Sequence, residues 1–316
     1  MKEIENNSLI QGDCLEVAKF IKKGSVDLIL TDPPYGIVKG IGGKSTNHGM
    51  VGKVDWDNSI PPNDLFKHAN DLLRVNGKMI LFGQEPYTTD LRNNAIANLP
   101  FLYRNIWEKD HFANSLIAKK APVSYYEDLL VFGKKYDTLN LHPLRLYFND
   151  VLEFINLNKQ QIFAVVGQCV YHTLRTNSTQ FGLCTEQTYQ KLIDSFAIKN
   201  MDGYLDYSTL KHINSTFNST FNSTFNLWQG KKFKSNIFKY KKDYNGHHPT
   251  QKPVKLLEDL IKTYSNEGDL VLDLTAGSCS TAVACINTGR NYICIELDKE
   301  YCDTGRQRIE QAKSEI

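Results

Sequence analysis

The chain has 316 residues, 41% hydrophobic and 23% charged, with a formal net charge of +2. That is an ordinary globular composition, large enough for one sizeable domain or for one domain carrying a smaller insert. It excludes an overall basic coat, so any surface for a polyanion has to come from local clustering of lysine and arginine. In chain order, residues 9–12 make a short strand. Asp13 and Glu16 then have capping-box spacing at the head of a helix reaching residue 21. Residues 26–31, VDLILT, are the nearly continuous apolar run of a strand buried on both faces. A helix over 64–74 puts Leu65, Ala69, Leu72 and Leu73 on one face and stops at Asn76-Gly77, before a strand at 78–82. A helix near 86–97 and strands near 101–107 and 128–132 follow.

The rhythm returns in the last 70 or so residues: helix 253–264, strand 269–274, helix 280–287, strand 291–296 and helix 300–313. Alternating β and α elements argue for a largely parallel sheet. The middle differs. Residues 151–157 and 159–166 read as helices, the second ended by Gly167, and Thr185 caps a helix running to Phe196. A perfect repeat, NSTFNSTFNSTF at 214–225, reads as an expanded loop, with a helix presenting Phe217, Phe221 and Phe225 as the alternative. A basic stretch, KKFKSNIFKYKK, fills 231–242. The expected layout is one sheet domain built from 1–135 and 247–316, interrupted by an inserted, mostly helical region at 136–246.

The opening residues, MKEIENNSLIQGDC, hold no apolar segment of a secretory leader, and no apolar run reaches the roughly 20 residues of a membrane span. The seven cysteines, at 14, 169, 184, 279, 285, 294 and 302, form no CxxC pair and read as reduced thiols of a cytoplasmic protein. No metal-ligand spacing is present, and His247-His248 is no site by itself. Gly43-Lys44-Ser45 resembles the end of a P-loop, but that motif needs glycine where Val38 stands. Residues 36–50 read instead as a mobile loop able to close over a site.

Three segments carry chemistry. Asp32-Pro33-Pro34-Tyr35 follows the buried strand directly, at the end where open α/β sheets bind ligands. Prolines fix φ and lack an N–H, so a carboxylate and a rigid carbonyl are presented together, suited to accept two N–H bonds from an exocyclic amine. The tyrosine ring adds a stacking surface. A strand-ending Pro-Pro turn is the plainer alternative. Asp273-Leu274-Thr275-Ala276-Gly277-Ser278-Cys279-Ser280-Thr281 is a small-residue turn between a strand and a helix, and Glu296 ends the next strand, where an acid suits ribose hydroxyls. His248-Pro249-Thr250-Gln251-Lys252-Pro253 leads into a helix, with Pro253 well placed at its start and Thr250 as a candidate cap.

With these segments in this order the chain resembles the β group of DNA amino-methyltransferases, over roughly 1–135 and 245–316. The resemblance implies a Rossmann-like methyltransferase sheet with permuted motif order and S-adenosylmethionine as cofactor. Asp32, Pro33, Pro34 and Tyr35 match the catalytic positions. Asp273, Thr275, Gly277, Cys279 and Glu296 match the cofactor loop and ribose acid, and Thr250, Gln251 and Lys252 the segment near the methionine end of the cofactor. Asp13 and Cys14 match the adenine side, though Asp13 is equally a helix cap. The family's Pro, Phe and second Gly in the loop are here Leu274, Thr275 and Cys279, a substitution that tells on cofactor affinity. The implied activity is site-specific methylation of double-stranded DNA by direct transfer to a flipped-out base, at adenine N6. Cytosine N4, or a weakened DNA-binding homologue, are the alternatives. A homodimer is one candidate assembly. The insert would read DNA, with residues 159–174 as a helix-turn-helix-like pair offering Gln168, His172, Arg175 and Gln180, or as a plain helical subdomain. Lys231, Lys232, Lys234, Lys239, Lys241 and Lys242, interleaved with aromatic residues, suit phosphate contacts or a solvated loop.

Overall fold

The central strands carry apolar residues on both faces, Leu28, Leu30 and Val271 on one and Ile29 and Leu272 on the other, so both faces of the sheet need helices over them. The computed structural model describes residues 2–35, 59–113, 118–220, 222–228, 230, 232–244 and 251–315. The expected loop 36–50, the histidines 247 and 248, Thr250, Lys231 and Phe221 lie outside the described residues.

Eight strands form one sheet: β1 (Ser8–Gln11), β2 (Val26–Thr31), β3 (Leu73–Gly83), β4 (Phe101–Ala113), β5 (Ser124–Gly133), β6 (Ile237–Lys239), β7 (Leu270–Asp273) and β8 (Asn291–Glu296). Their order is β1-β8-β7-β2-β3-β5-β4-β6. β5 is antiparallel to both its neighbours, and every other pairing is parallel. Too few residues separate β4 from β5 for the crossover that a parallel neighbour needs, so β5 reverses direction. β2 and β7 lie side by side although some 240 residues separate them, with Leu28 opposite Val271 and Ile29 opposite Leu272. The permuted order of a Rossmann-like methyltransferase sheet is therefore physical: the two flanks close one sheet.

On one face, Ile29, Met79, Leu81, Leu272 and Ile293 pack against α1 (Cys14–Val17), α2 (Pro62–Leu72) and α3 (Tyr87–Asn93). On the other, Leu28, Leu30, Ile80, Phe82 and Val271 pack with residues of three later helices. The helices between them in sequence, α4 (Leu144–Ile155), α5 (Lys159–Val166), α6 (Tyr171–Leu174), α7 (Glu186–Phe196) and α8 (Tyr207–Thr220), belong to a second unit, 136–222. The three later helices are α9 (Val254–Tyr264), α10 (Ser280–Thr288) and α11 (Lys299–Ser314). Full burial of each such aliphatic side chain is worth about 1.5–3 kcal/mol.

The second unit has its own core of Leu144, Phe148, Val151, Ile162, Leu192 and Ile198. Thr185 caps α7 as expected, and Asn158 with Gln161 closes a capping box on α5. The NSTF repeat is not a loop from its start: α8 runs through Thr220, and Phe217 lies 4.3 Å from the His142 ring. The aromatic residue every fourth position is a helical spacing, and a core contact outweighs the weak helix propensity of Asn, Ser and Thr.

The compact second unit ends at Asn222, so residues 223–244, expected within the insert, belong to the sheet unit. One carboxylate explains this. Asp259 on α9 accepts from Trp228 Nε1 at 3.1 Å and Tyr240 OH at 2.6 Å, and is ion-paired with Lys234. β6 then adds to the sheet edge through Phe238, which is buried.

Candidate active site

β2 delivers Asp32 to the carboxyl end of the sheet. Tyr35 OH donates to Asp32 Oδ1 at 2.6 Å, the Lys252 ammonium is paired with Oδ2, and Thr275 donates from its hydroxyl to the Asp32 carbonyl at 2.9 Å. Burial pushes the Asp32 carboxyl up from its ordinary value, and the Lys252 charge opposes that rise. Pro33 is buried and Pro34 lines a cavity. The Tyr35 ring packs against the first apolar layer, 5.8 Å from Tyr87, so the face reserved for a stacked base is partly committed to the protein.

Beside it, β7 ends at Asp273, which is 5% exposed. Its carboxylate accepts from Thr31 OH at 2.8 Å, the Thr275 N–H at 3.1 Å and Thr281 OH at 2.5 Å. Burial nevertheless raises the Asp273 carboxyl to about 6. Gly277, at φ 52°, points its N–H at Glu296 Oε2, 2.7 Å away, while Glu296 Oε1 accepts from the Asp298 N–H at 2.8 Å. Burial raises the Glu296 carboxyl too. Ser278 OH donates to Gln251 Oε1 at 3.2 Å. Arg308, from α11, braces the loop by donating to the Ser278 carbonyl at 2.5 Å and the Ser280 hydroxyl at 3.1 Å. No motif in the sequence marks Arg308, since its partners are about 30 residues upstream.

The altered loop positions find distinct solutions. Thr275 takes a hydrogen-bonding role at the Asp32 carbonyl. Cys279 keeps the left-handed backbone that favours glycine, φ 60°, and is fully buried in the second apolar layer. Its side chain packs among apolar residues and is not part of the cavity lining. Gly305 of α11 makes the room: a Cβ there would be driven into Cys279 Sγ and lie 3.1 Å from Leu9. Gly305→Ala should therefore cost about 1–3 kcal/mol, and adding Cys279→Gly should recover much of it. Urea unfolding of the single and double variants checks this. Equal stabilities of Gly305→Ala and the parent would contradict the packing.

Asp13 caps α1, accepting from the Leu15 N–H at 2.8 Å, and also lines the cavity with Gly12 and Cys14, so the cap does not remove it from the cavity wall. Burial pushes the Cys14 thiol up to about 12, which keeps it a thiol. The cavity has a volume of about 330 Å³ and brings together Asp13, Cys14, Asp32, Gln251, Lys252, Asp273, Thr275, Gly277 and Glu296, although they come from opposite ends of the chain. Among the described residues four carboxylates face it, and the one lysine there is already paired with Asp32. A ligand with cationic centres and ribose hydroxyls suits that set, as S-adenosylmethionine does.

The expected phosphate-binding residues diverge. Lys232 and Lys241 are exposed, and Lys239 pairs with Glu108 at 3.1 Å. Lys242 donates its backbone N–H to Asp110 at 2.9 Å. Lys234 is taken up by Asp259 and is mostly buried, which removes it from a phosphate-facing role. In the second unit, Arg175 stacks over the Tyr171 ring at 4.8 Å and bonds its hydroxyl at 2.6 Å, whereas Gln168, His172 and Gln180 are exposed.

The DNA methylase family model matches residues 26–307. The chain is 26% identical over 324 aligned residues to the DNA adenine methyltransferase YhdJ of Escherichia coli, covering 98% of this chain and 84% of that protein. It is 22% identical to the type II methyltransferase M.HpaI of Haemophilus parainfluenzae, over 96% of this chain and 74% of that one. In fold it is similar to M1.HpyAVI solved with S-adenosylmethionine (TM-score 0.52, 19% identity, 96% and 98% of the two chains). It is likewise similar to the cytosine-N4-specific PvuII DNA methyltransferase (TM-score 0.51, 15% identity, 99% and 92%). With the matched model spanning both flanks, the catalytic segment and the cofactor loop, this chain belongs to the N6/N4 DNA methylase family.

Proposed function

We propose that the protein is an adenine-N6 methyltransferase of double-stranded DNA. The observation carrying the reading is Asp32 at the cavity rim, at the carboxyl end of β2, followed by the rigid Pro33-Pro34 pair. S-adenosylmethionine, when bound, supplies an electrophilic sulfonium methyl. The chain's own task is to hold an amine nitrogen with its lone pair toward that methyl, so no enzyme nucleophile is required. Asp32 and the Pro33 carbonyl accept the two amine N–H bonds, which orients the nitrogen and raises its electron density. Asp13, Gln251, Asp273, Gly277 and Glu296 form the cofactor's enclosure, with Glu296 facing ribose hydroxyls. The target base leaves the duplex, at a cost of a few kcal/mol.

An aspartate at the first position of the catalytic segment favours adenine over cytosine, and the similarity to an adenine enzyme along nearly the whole chain supports the same choice. The 136–222 unit, with Arg175, the exposed Lys232, Lys239 and Lys241, and the half-buried Lys242 are then assigned to DNA contacts. The type II relatives support a place in restriction–modification. The buried free thiols fit a cytoplasmic enzyme, and no helix among the described residues is long and apolar enough to cross a membrane.

Incubating the protein with S-adenosylmethionine and unmethylated genomic DNA, then digesting to nucleosides, tests this. The expected product by mass spectrometry is N6-methyladenine. N4-methylcytosine in its place would overturn the base assignment. No detectable S-adenosylmethionine binding, with DNA binding intact and no methylated nucleoside, would favour the weakened homologue.

A further inference from the structure

Behind Asp32 runs a row of alternating charges that its motif does not announce. Lys252 Nζ, paired with Asp32 Oδ2, lies 3.3 Å from Glu127 Oε2, and Glu127 Oε1 is 2.5 Å from Lys109 Nζ. Lys109 comes from β4, Glu127 from β5 and Lys252 from the turn before α9, so residues of three elements form the row behind Asp32, the residue that follows β2. The Lys252 ammonium also sits over the Phe82 ring at 5.0 Å, and that of Lys109 over Trp107 at 5.3 Å. The side chains of Lys109, Glu127 and Lys252 are 1%, 11% and 9% exposed, so solvent barely screens the row. A buried lysine with two carboxylates in reach does more than a single ion pair needs.

We infer that Lys252 and Glu127 are positioning residues for Asp32: the ammonium holds the Asp32 carboxylate in place while the site waits, and moves its weight to Glu127 when an amine takes its place. Lys109 anchors Glu127 as that second acceptor. The inference rests on the reading of Asp32 as the amine acceptor. Its physical basis is that an amine N–H and the Lys252 ammonium compete for the same oxygen. Without an alternative carboxylate, displacing Lys252 would strand a buried charge, which costs several kcal/mol. With Glu127 at hand the exchange stays near balance.

Among the described residues the titratable groups facing Asp32 are Lys252 before α9, Glu127 on β5, Asp273 on β7, Tyr87 on α3 and its own neighbour Tyr35, with Lys109 one step behind. Burial raises the Asp32 carboxyl, Lys252 lowers it and Glu127 raises it. Lys252, which burial alone would pull down, is held up by its two carboxylates.

The test is a carbon-13 titration of aspartate-labelled full-length protein, with the Asp32 signal assigned from Asp32→Asn. Lys252→Met removes a cation, so the Asp32 midpoint should move up. Glu127→Gln removes an anion, so it should move down. Midpoints that stay put in both variants, or move the same way, overturn the inference. In steady-state methylation, Glu127→Gln should slow turnover on the order of 10²-fold, because Lys252 has nowhere to go. Its S-adenosylmethionine dissociation constant should be unmoved. Turnover equal to the parent would also overturn it. If the parent itself transfers no methyl to DNA, the functional reading fails on that result alone, while the carbon titration still decides on the charge row.

Discussion

Asp32→Ala should lower methyl transfer by about 10³-fold while leaving the fold and cofactor affinity in place. A charge-assisted hydrogen bond to the amine is worth about 1.5–3 kcal/mol, and loss of the orienting group adds on the order of 10²-fold through misplacement. The fold survives because the link to the cofactor loop uses the Asp32 main-chain carbonyl, which alanine retains for Thr275. Lys252 keeps Glu127 at 3.3 Å and is not stranded. Calorimetry with S-adenosylmethionine and single-turnover methylation of DNA separate the two effects. Transfer within tenfold of the parent would remove Asp32 from the chemistry. Loss of cofactor binding together with transfer would make Asp32 a cofactor ligand instead.

Asp273→Asn should raise thermal stability at neutral pH. Burial lifts this carboxyl from 3.8 to about 6, which corresponds to about 3 kcal/mol between its two protonation states. The sign follows from proton binding. Between those two values this group binds more protons in the folded protein than in the unfolded chain, so its contribution to stability is full below pH 3.8 and is lost as pH rises through about 6. At pH 7 the protein therefore carries an ionised, poorly solvated carboxylate. Asparagine has the same shape and no charge. Its oxygen can still accept from Thr31 and the Thr275 N–H, and its amide can donate to the Thr281 hydroxyl. Melting temperatures between pH 4 and 7 should show the parent losing a stabilising term that the variant never had. A variant that melts lower than the parent at pH 7 would mean that the hydrogen bonds outweigh the burial. The expected cost appears in cofactor affinity, since the charge faces the cavity.

Much of this site is legible in the sequence because the segments are local. VDLILT is a strand at the expected residues, and Asp32 follows it. Asp273, Gly277 and Glu296 fall at turn and strand ends where small residues and acids leave a pattern. What stayed hidden is long-range. Lys109, Glu127 and Arg308 act through partners far away in the chain, and single charges in strands or helices look like any others. Asn76-Gly77 looks like a helix stop. The helix ends earlier, at Leu72, and the pair sits inside β3, where Asn76 has φ 62° and the pairing with β2 shifts register between Val26 and Leu28. A left-handed residue serves a bulge as well as a helix end, and only the neighbouring strand decides between them.

β3 also marks where the sheet unit hands the chain over and takes it back. Lys134, just before the second unit, donates its N–H to the Gly77 carbonyl at 3.1 Å, and Ser223, just after it, accepts from the adjacent Lys78 at 2.7 Å. Departure and return are thus stapled to consecutive residues of one strand. Seen over generations, such a layout works as a socket. Whatever lies between 136 and 222 can lengthen, shorten or be traded for another module, and the strands that hold the methyl-transfer cavity need not adjust.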